Sequence, residues 1–159
     1  MILSKQHGED YSFHMETIMD VKDEVEPLLE LHWEEIALNK DSIPLNPAWD
    51  RYLELEKVGV AGTYTCRYQG ELVGYLVVFA DKHLHYQDHI FANNDVLYLK
   101  PEHRTIGVGA AFISFVVDHL KELGASVFHI NTKAHQSFAP LLENLGFEEV
   151  ETTYGYKLN

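Results

Sequence analysis

The sequence is short of cysteine, of basic residues and of long apolar runs, and each shortage excludes a class of protein. One cysteine, Cys66, excludes an internal disulfide and a cysteine-based zinc site. No apolar run approaches the roughly 20 residues that span a bilayer, and the first ten residues are too polar for a signal peptide. We therefore expect a cytoplasmic protein with no membrane partner, in which Cys66 is a small strand residue rather than a nucleophile.

Basic residues are few relative to acidic ones. Lysine and arginine total 12 and aspartate and glutamate total 25, so the net charge is −13. Because nucleic-acid binding needs a basic surface, we expect no nucleic-acid partner. Eight of the acidic residues lie between positions 20 and 41. They form either the solvated face of a helix or, if Glu34, Glu35 and Asp41 face a binding cleft, a surface that attracts a cationic ligand.

The chain shows no repeat and no linker, which predicts a single domain over residues 1–159. Apolar spacing and Gly/Pro signals predict strands and helices in an α+β order. The predicted strands cover about 11–18, 60–69, 71–86, 90–100, 126–132 and 153–159, and the predicted helices cover about 23–38, 47–58, 108–123 and 137–146. Pro27 is expected in the first turn of the first helix, and Asn46 is expected to cap the second.

The hexapeptide RTIGVG, residues 104–109, lies between a predicted strand and a predicted helix. Gly107 and Gly109 weaken the start of that helix by about 1 kcal/mol each relative to alanine. A strand that runs into a helix N-terminus exposes unpaired backbone N–H groups, which favour an anion and most often a phosphate. Glycines there let a pyrophosphate contact the backbone. The alternative is that they serve close helix packing.

Two familiar phosphate motifs are absent. A P-loop needs a Gly-Lys pair, which the chain lacks, and a dinucleotide fingerprint needs a small residue where this chain has Phe112. The pattern Arg104-x-x-Gly107-x-Gly109 after a strand resembles the acyl-CoA motif of the GNAT superfamily of N-acyltransferases. The segments LYLKPEHRTIGVGAAF and ENLGF, at residues 97–112 and 143–147, and the order of elements are similar to that family over nearly the full length.

The resemblance implies a fold and a cofactor. The fold is of the α/β (α+β) type, a single GNAT-like domain whose central sheet is mixed, mostly antiparallel, of about six to seven strands, flanked by about four helices and splayed at the acyl-CoA site. The implied co-substrate is acetyl-CoA, and no metal is expected. The residues expected along its pantetheine and pyrophosphate, with His135 at a position where relatives often carry Asn, are Leu97, Tyr98, Leu99, Arg104, Thr105, Ile106, Gly107, Val108, Gly109, Ala110 and His135.

In this family a neutral amine attacks the thioester directly, and a backbone N–H near Leu99 would stabilise the oxyanion. The amine must first lose a proton. Relatives often use a Glu at the position of Asn93, so the expected base is Asp95, two residues further along the strand. The alternative is that Asp95 is a strand-entry carboxylate bonded to backbone.

The acid that protonates the leaving thiolate is also missing from its usual place. Relatives often carry a Tyr where this chain has Leu142. Tyr154, Tyr156 or His135 could replace it, and the sequence does not choose among them. A thiol with a pKa near 8.5 leaves without a strong acid, so the group is helpful rather than obligatory.

Histidines 83, 85 and 89 stand beside Asp88, which is a possible start of a metal site. The other interpretation is that His85 and Tyr86 line an acceptor pocket or relay a proton.

The sequence thus predicts an acetyl-CoA-dependent N-acetyltransferase that modifies a primary amine of a cationic small molecule or of a protein lysine or N-terminus. It leaves the oligomeric state open, with a homodimer as one option. A catalytically silent acyl-CoA-binding module is the alternative, because Asn93 and Leu142 stand where relatives keep acid-base groups. A histidine-based metal-dependent enzyme is a further alternative.

Overall fold

The computed structural model describes residues 3–105 and 107–159, in which helices cover both faces of one sheet. Ile106, a predicted coenzyme contact, lies outside the described residues. The strands are β1 Ser4–His7, β2 Tyr11–Met15, β3 Ala61–Tyr68, β4 Glu71–Lys82, β5 Ile90–Leu99 and β6 Ala125–His129. The helices are α1 Ile18–Ile36, α2 Trp49–Lys57, α3 Val108–Glu122 and α4 Ala139–Asn144.

The six strands lie in their order along the chain. Every neighbouring pair is antiparallel except β5 and β6, which are parallel because α3 carries the chain back between them. The β3–β4 hairpin turns at Gln69 and Gly70, which both have positive φ (49° and 86°), as a two-residue type I′ turn requires. The predicted mixed, mostly antiparallel sheet with four helices is confirmed.

Each face of the sheet has its own apolar cluster. On one face α3 packs through residues spaced by three and four, including Val108, Phe112 and Val116, against Phe13 and Leu76 of the strands. On the other face α1 and α2 cover a cluster that contains Tyr75 and Tyr98. Among the described residues, no helix is long and apolar enough to cross a membrane.

Helix α3 begins at Val108 as predicted, but the predicted N-terminal ends of α1 and α2 were wrong. Helix α1 begins at Ile18, so Pro27 lies inside it rather than in its first turn. Pro27 is on the exposed face, where water can satisfy the carbonyl that loses its partner. Helix α2 begins at Trp49 with Ala48 as its cap, so Asn46 does not cap it.

The strand predictions failed at the two ends of the chain. Strand β1 was not predicted, because four mostly polar residues carry no periodic signal. The strand predicted at 153–159 is absent, and residues 148–159 contain neither helix nor strand. The six strands observed are therefore those of residues 4–129.

Candidate active site

A cleft of about 760 Å³ opens where β5 and β6 separate. Strand β6 pairs with β5 only from Ile90 to Asn93, although β5 continues to Leu99. Beyond that point the side chain of Asn94, rather than the β5 backbone, accepts a hydrogen bond from the Asn131 N–H at 2.7 Å. Residues 94–99 therefore form one wall of the cleft, as the predicted splay requires.

The backbone of β5 directs polar groups into this cleft. The Lys100 N–H donates to Val73 O of β4 at 2.9 Å, and in an antiparallel pair alternate residues bond to the neighbouring strand. Tyr98 therefore bonds to β4, whereas Leu97 and Leu99 point their N–H and C=O groups toward the cleft. A ligand lying along β5 meets the N–H and C=O of Leu97 and the N–H of Leu99, whereas the Leu99 carbonyl already accepts a hydrogen bond from Nε of Arg104 at 2.7 Å.

Asp95 is the extra residue of a β-bulge in β5. Val77 pairs with Val96 while Val78 pairs with Asn94, so Asp95 has no partner on β4. The bulge places the exposed Asp95 carboxylate in the lining of the cleft. In a regular strand Ala92 and Tyr98, six residues apart, would point to the same face of the sheet. The bulge places them on opposite faces: Ala92 packs on the α3 side and Tyr98 on the α1 side.

A tyrosine from α2 holds the Asp95 carboxylate. The Tyr52 hydroxyl donates a hydrogen bond to Oδ2 of Asp95. Burial, and then the hydrogen bond to Asp95, raise the pKa of Tyr52, so the phenol keeps its proton and acts as the donor. Tyr52 is fixed in turn by stacking on Phe79, with the ring centroids 6.2 Å apart.

The loop from β5 to α3 closes one end of the cleft. Gly107 caps α3 with φ of 93°, a left-handed backbone conformation that residues other than glycine rarely adopt. The first turn of α3 contains no acidic residue. Gly109 and Ala110 line the cleft there, where the unpaired N–H groups and the helix dipole favour an anion.

Helix packing does not explain the glycine at position 109. A Cβ added to Gly109 would lie 3.5 Å from Cδ2 of Leu141, an ordinary van der Waals contact. An alanine would therefore fit against α4. This observation favours access for a ligand over close helix packing as the reason for Gly109.

All three guanidinium nitrogen atoms of Arg104 donate hydrogen bonds within the protein. Its Nη1 and Nη2 lie 2.7 and 2.8 Å from the two carboxylate oxygens of Glu35 on α1, and its Nε donates to Leu99 O at 2.7 Å. The hydrogen bonds from Arg104 lower the pKa of Glu35. Gln136 also donates to Glu35, at 3.1 Å. Glu35 thus joins α1 to Arg104, which follows β5, and to the loop before α4.

His32 of α1 lies at the floor of the cleft, 9% exposed. Its Nδ1 is hydrogen-bonded to the Tyr75 hydroxyl at 3.1 Å, and its ring stacks on Tyr98 with the centroids 4.9 Å apart. Burial lowers the pKa of His32 to about 4, so the imidazole is neutral at pH 7.

The predicted charge surface for a cationic ligand is largely neutralised. Glu34 forms an ion pair with Lys40 at 3.0 Å, and Glu35 pairs with Arg104. Asp41 is exposed and does not line the cleft. Asp95 is therefore the cleft carboxylate that no basic side chain pairs within the described residues.

Some predicted site residues lie together and others do not. Those that line the cleft are Asp95, Leu97, Tyr98, Leu99, Arg104, Thr105, Gly107, Gly109 and Ala110. Val108 is buried in the core under α3 because it falls on the helix face that packs against the sheet.

Three predicted residues lie away from the cleft lining. His85 is exposed in the turn between β4 and β5, where its N–H donates to His83. Tyr154 is 93% exposed in the C-terminal segment. His135 is exposed at the tip of the turn between Lys133 and Gln136. The structure thus does not bring His85, Tyr154 or His135 to Asp95.

The structure also bears on Leu142 and on the metal site suggested by histidines 83, 85 and 89. Leu142, at the position of the family's Tyr, is buried and 6% exposed. Within residues 3–105 and 107–159 no group of three His, Cys, Asp or Glu side chains could hold a metal ion. The geometry therefore gives no support to the metal-dependent alternative.

Residues 25–147 match the model of the Acetyltransferase (GNAT) family. That match covers more than half of the 159 residues. The chain belongs to the GNAT acetyltransferase family. It is accordingly a GNAT-family N-acetyltransferase, and this family uses acetyl-CoA. The predicted resemblance and enzyme class are confirmed, and family membership favours an enzyme over a binding-only module.

Solved structures of acetyltransferases share the fold at low identity. The chain is similar to a ribosomal-protein-alanine N-acetyltransferase from Brucella melitensis biovar Abortus 2308, with a TM-score of 0.71, 19% identity and 94% and 99% of the two chains covered. An aminoglycoside acetyltransferase from an uncultured soil metagenomic sample gives a TM-score of 0.74, 12% identity and coverage of 97% and 100%.

A third similar structure, from Clostridium acetobutylicum, is described as a "predicted acetyltransferase with acetyl-CoA". Its TM-score is 0.70 at 14% identity, with 93% and 96% of the two chains covered. No curated protein sequence matches the chain.

Several residues in or beside the cleft were missed from the sequence. His32, Tyr52, Lys133 and Gln136 carried no motif, since each reaches the site through tertiary packing rather than through spacing along the chain. A signal for Tyr52 was available: an aromatic side chain on the apolar face of a short, otherwise charged helix is positioned to reach the sheet.

Proposed function

We propose that this GNAT acetyltransferase moves the acetyl group of acetyl-CoA to a primary amine, by direct attack of the amine in a ternary complex. The observation that carries this proposal is the cleft in which the free edge of β5 meets the first turn of α3. A long thioester with a phosphorylated end matches that shape, because β5 offers main-chain groups to its pantetheine and α3 offers N–H groups to its pyrophosphate.

Asp95 is the proposed base. It lies in the cleft lining at the bulge, just before the β5 residues proposed to hold the pantetheine. Its carboxylate attracts the protonated amine and takes its proton, directly or through a water molecule. The Leu97 N–H, aimed into the cleft, is the proposed donor to the oxyanion that forms on the thioester carbonyl.

Tyr52 is the proposed positioning residue for this base. Its hydroxyl donates a hydrogen bond to Oδ2 of Asp95, so that Oδ1 is the oxygen proposed to accept the proton of the amine. Because the half-buried Tyr52 ring stacks on Phe79, we expect the carboxylate to be held in one orientation before the acceptor arrives.

The acceptor is proposed as a molecule that presents one unhindered primary amine. The relatives' described acceptors, a ribosomal-protein alanine and aminoglycosides, are amines of different sizes. Since Glu34 and Glu35 are already paired, attraction of a cationic acceptor rests on Asp95 rather than on the acidic run of α1. We therefore expect charge changes at Glu34 to leave the acceptor KM unchanged.

The test is the release of free thiol from acetyl-CoA in the presence of separate amines: a polyamine, an aminoglycoside, a peptide with N-terminal alanine and a lysine peptide. We expect acceptor-dependent release with at least one class, reduced about 10²-fold to 10⁴-fold by Asp95→Asn. Asp41→Asn, at an exposed position outside the cleft, is the matched control. Coenzyme binding without acceptor-dependent release in any reaction would contradict the proposal.

A further inference from the structure

Lys133 is the basic counterpart of Asp95 in the cleft. It lines the cleft from the loop that follows β6, and no acidic side chain pairs with it within residues 3–105 and 107–159. Arg104, the other lysine or arginine of the lining, is already paired with Glu35. The part of the cleft that the structure describes therefore holds two unpaired charges of opposite sign.

The loop that carries Lys133 is held beside α1. The Gln136 N–H donates to Lys133 O at 3.1 Å, which closes the turn, and the Gln136 side chain donates to Glu35 of α1. Burial, and after it the charges of Arg104 and Lys133, lower the pKa of His32. Lys133 and His32 therefore lie at the same end of the cleft.

His32 offers a hydrogen-bond donor at that end. Burial raises the pKa of Tyr75, and among the described residues its hydroxyl has no acceptor other than Nδ1 of His32. The phenol therefore donates to Nδ1, and the neutral imidazole carries its own proton on Nε2. No described residue bonds to Nε2, yet every fully buried side-chain nitrogen or oxygen of the described chain has a partner. Nε2–H is thus open to the cleft that His32 lines.

An ammonium group and an imidazole N–H together match an anion. Both are donors, and neither can accept a hydrogen bond. The oxygens of a carboxylate or phosphate accept from both, and Lys133 balances their charge. A second ammonium group of the acceptor would instead meet a like charge, because both oxygens of Glu35 already accept from Arg104.

This pair of donors is displaced along β5 from the proposed base. His32 stacks on Tyr98, which is three residues from Asp95, a separation of roughly 10 Å along a strand. An acceptor that reaches both places therefore needs a chain of several atoms between its amine and its anionic group.

We propose that the acceptor carries a carboxylate or phosphate several atoms away from its primary amine, and that Lys133 and His32 bind this anionic group while Asp95 receives the amine. This acceptor class presupposes the acetyl transfer proposed above and narrows it. Lys133 and His32 determine specificity, because the group they bind takes no part in the change of bonds.

Four amines test the acceptor class through release of thiol from acetyl-CoA. Three of them, 6-aminohexanoate, hexylamine and 1,5-diaminopentane, share one aminopentyl chain and end in a carboxylate, a methyl group and an ammonium group. The fourth, 4-aminobutyl phosphate, places a phosphate at the same number of bonds from the amine. We expect kcat/KM for at least one anionic amine to exceed that for hexylamine about tenfold or more, with 1,5-diaminopentane the poorest. The better anionic amine identifies the group.

Charge substitutions at Lys133 locate the contact. Lys133→Gln should raise the KM for the anionic amine about tenfold and leave the KM for hexylamine and for acetyl-CoA unchanged. Lys133→Glu should reverse the preference in favour of 1,5-diaminopentane, a gain that misfolding cannot produce. Lys5→Gln, at an exposed position in β1 outside the cleft, is the matched control.

Two substitutions separate the donor of His32 from its ring. His32→Gln keeps an N–H donor, whereas His32→Phe keeps a ring against Tyr98 and removes the donor. We expect the KM for the anionic amine to rise more in His32→Phe than in His32→Gln, with the KM for acetyl-CoA unchanged in both. An unchanged acceptor KM in both variants removes His32 from the site.

The anionic acceptor and the acetyl transfer can fail separately. Equal kcat/KM for hexylamine and both anionic amines overturns the anionic acceptor and leaves the acetyl transfer standing. A Lys133→Gln variant that changes only the KM for acetyl-CoA also overturns it, because it assigns Lys133 to the coenzyme. Thiol release with none of the four amines has the same result, and if no other amine releases thiol, the acetyl transfer falls as well.

Discussion

Arg104 and Glu35 form a bidentate ion pair within the cleft, with Nη1–Oε1 and Nη2–Oε2 distances of 2.7 and 2.8 Å. The pair places a carboxylate beside the loop that is proposed to hold the coenzyme's phosphates. Its charge is tolerable there because the guanidinium neutralises it. We therefore propose that Arg104 favours coenzyme binding partly by neutralising the charge of Glu35.

This arrangement predicts non-additive effects on acetyl-CoA binding. Arg104→Gln leaves the Glu35 carboxylate unpaired near the phosphates, and we expect acetyl-CoA affinity to fall about tenfold. Adding Glu35→Gln removes the repulsion, so the double variant should bind more tightly than Arg104→Gln alone. Calorimetry of the four proteins measures the coupling. If the two substitutions are additive, the ion pair plays no part in coenzyme binding.

Tyr52 and Asp95 are expected to act as one unit in the chemical step. Tyr52→Phe keeps the ring against Phe79 and removes the hydroxyl, so kcat should fall about tenfold while the KM for acetyl-CoA is unchanged. In the Asp95→Asn background the same change should cost little further. Steady-state kinetics of the four proteins checks both statements. Equal effects of Tyr52→Phe in both backgrounds would show a purely structural role.

His32 is predicted to make folding stability depend on pH. The pKa of His32 is about 4 in the folded protein and near 6.5 in the unfolded chain, so the unfolded chain takes up the proton first as pH falls. The contribution of His32 to the free energy of unfolding is therefore fully present above about pH 6.5. It is lost progressively as the pH falls from about 6.5 to 4.

Urea unfolding at pH 7 and pH 5 measures this loss. We expect a decrease on the order of 1–2 kcal/mol, and His32→Gln should remove most of that decrease. The matched control is His85→Gln, at an exposed turn position, which should retain the pH dependence. A decrease of the same size in His32→Gln would assign it to other groups.

The two motif glycines are predicted to differ in their tolerance of alanine. Gly107→Ala forces a side chain into φ of 93°, which should lower the free energy of unfolding by about 1–2 kcal/mol. Gly109→Ala adds an ordinary contact with Leu141 and a better helix former, so stability should be unchanged or slightly higher. Thermal unfolding of both variants makes the comparison, and equal destabilisation would contradict it.

The features that depend on local chemistry could be predicted from the sequence. The hairpin at Gly70, the apolar face of α3 and the loop from Arg104 to Gly109 each follow from residues close together in the chain. The resemblance to the GNAT family rested on that loop, and it supplied the topology of the sheet.

The features that depend on long-range packing could not be predicted. Spacing along β5 gives no sign of the bulge at Asp95, because the bulge is defined by its register with Val77 and Val78. The partners of Asp95 and Arg104 are 43 and 69 residues away in the chain. The segment predicted as a strand at 153–159 has the right alternation, but residues 148–159 join no strand of the sheet.

Acetyl-CoA is proposed to lie along β5 with its pyrophosphate on the first turn of α3. Calorimetric titration with acetyl-CoA of the parent protein, Gly109→Glu and the control Lys121→Glu tests it most directly. The new carboxylate at position 109 would enter the cleft at the proposed pyrophosphate position, whereas the one at position 121 lies at the far end of the same helix. We expect the parent and Lys121→Glu to bind alike and Gly109→Glu to lose at least about 100-fold in affinity. Unchanged binding by Gly109→Glu, folded as judged by its thermal unfolding, would contradict the account.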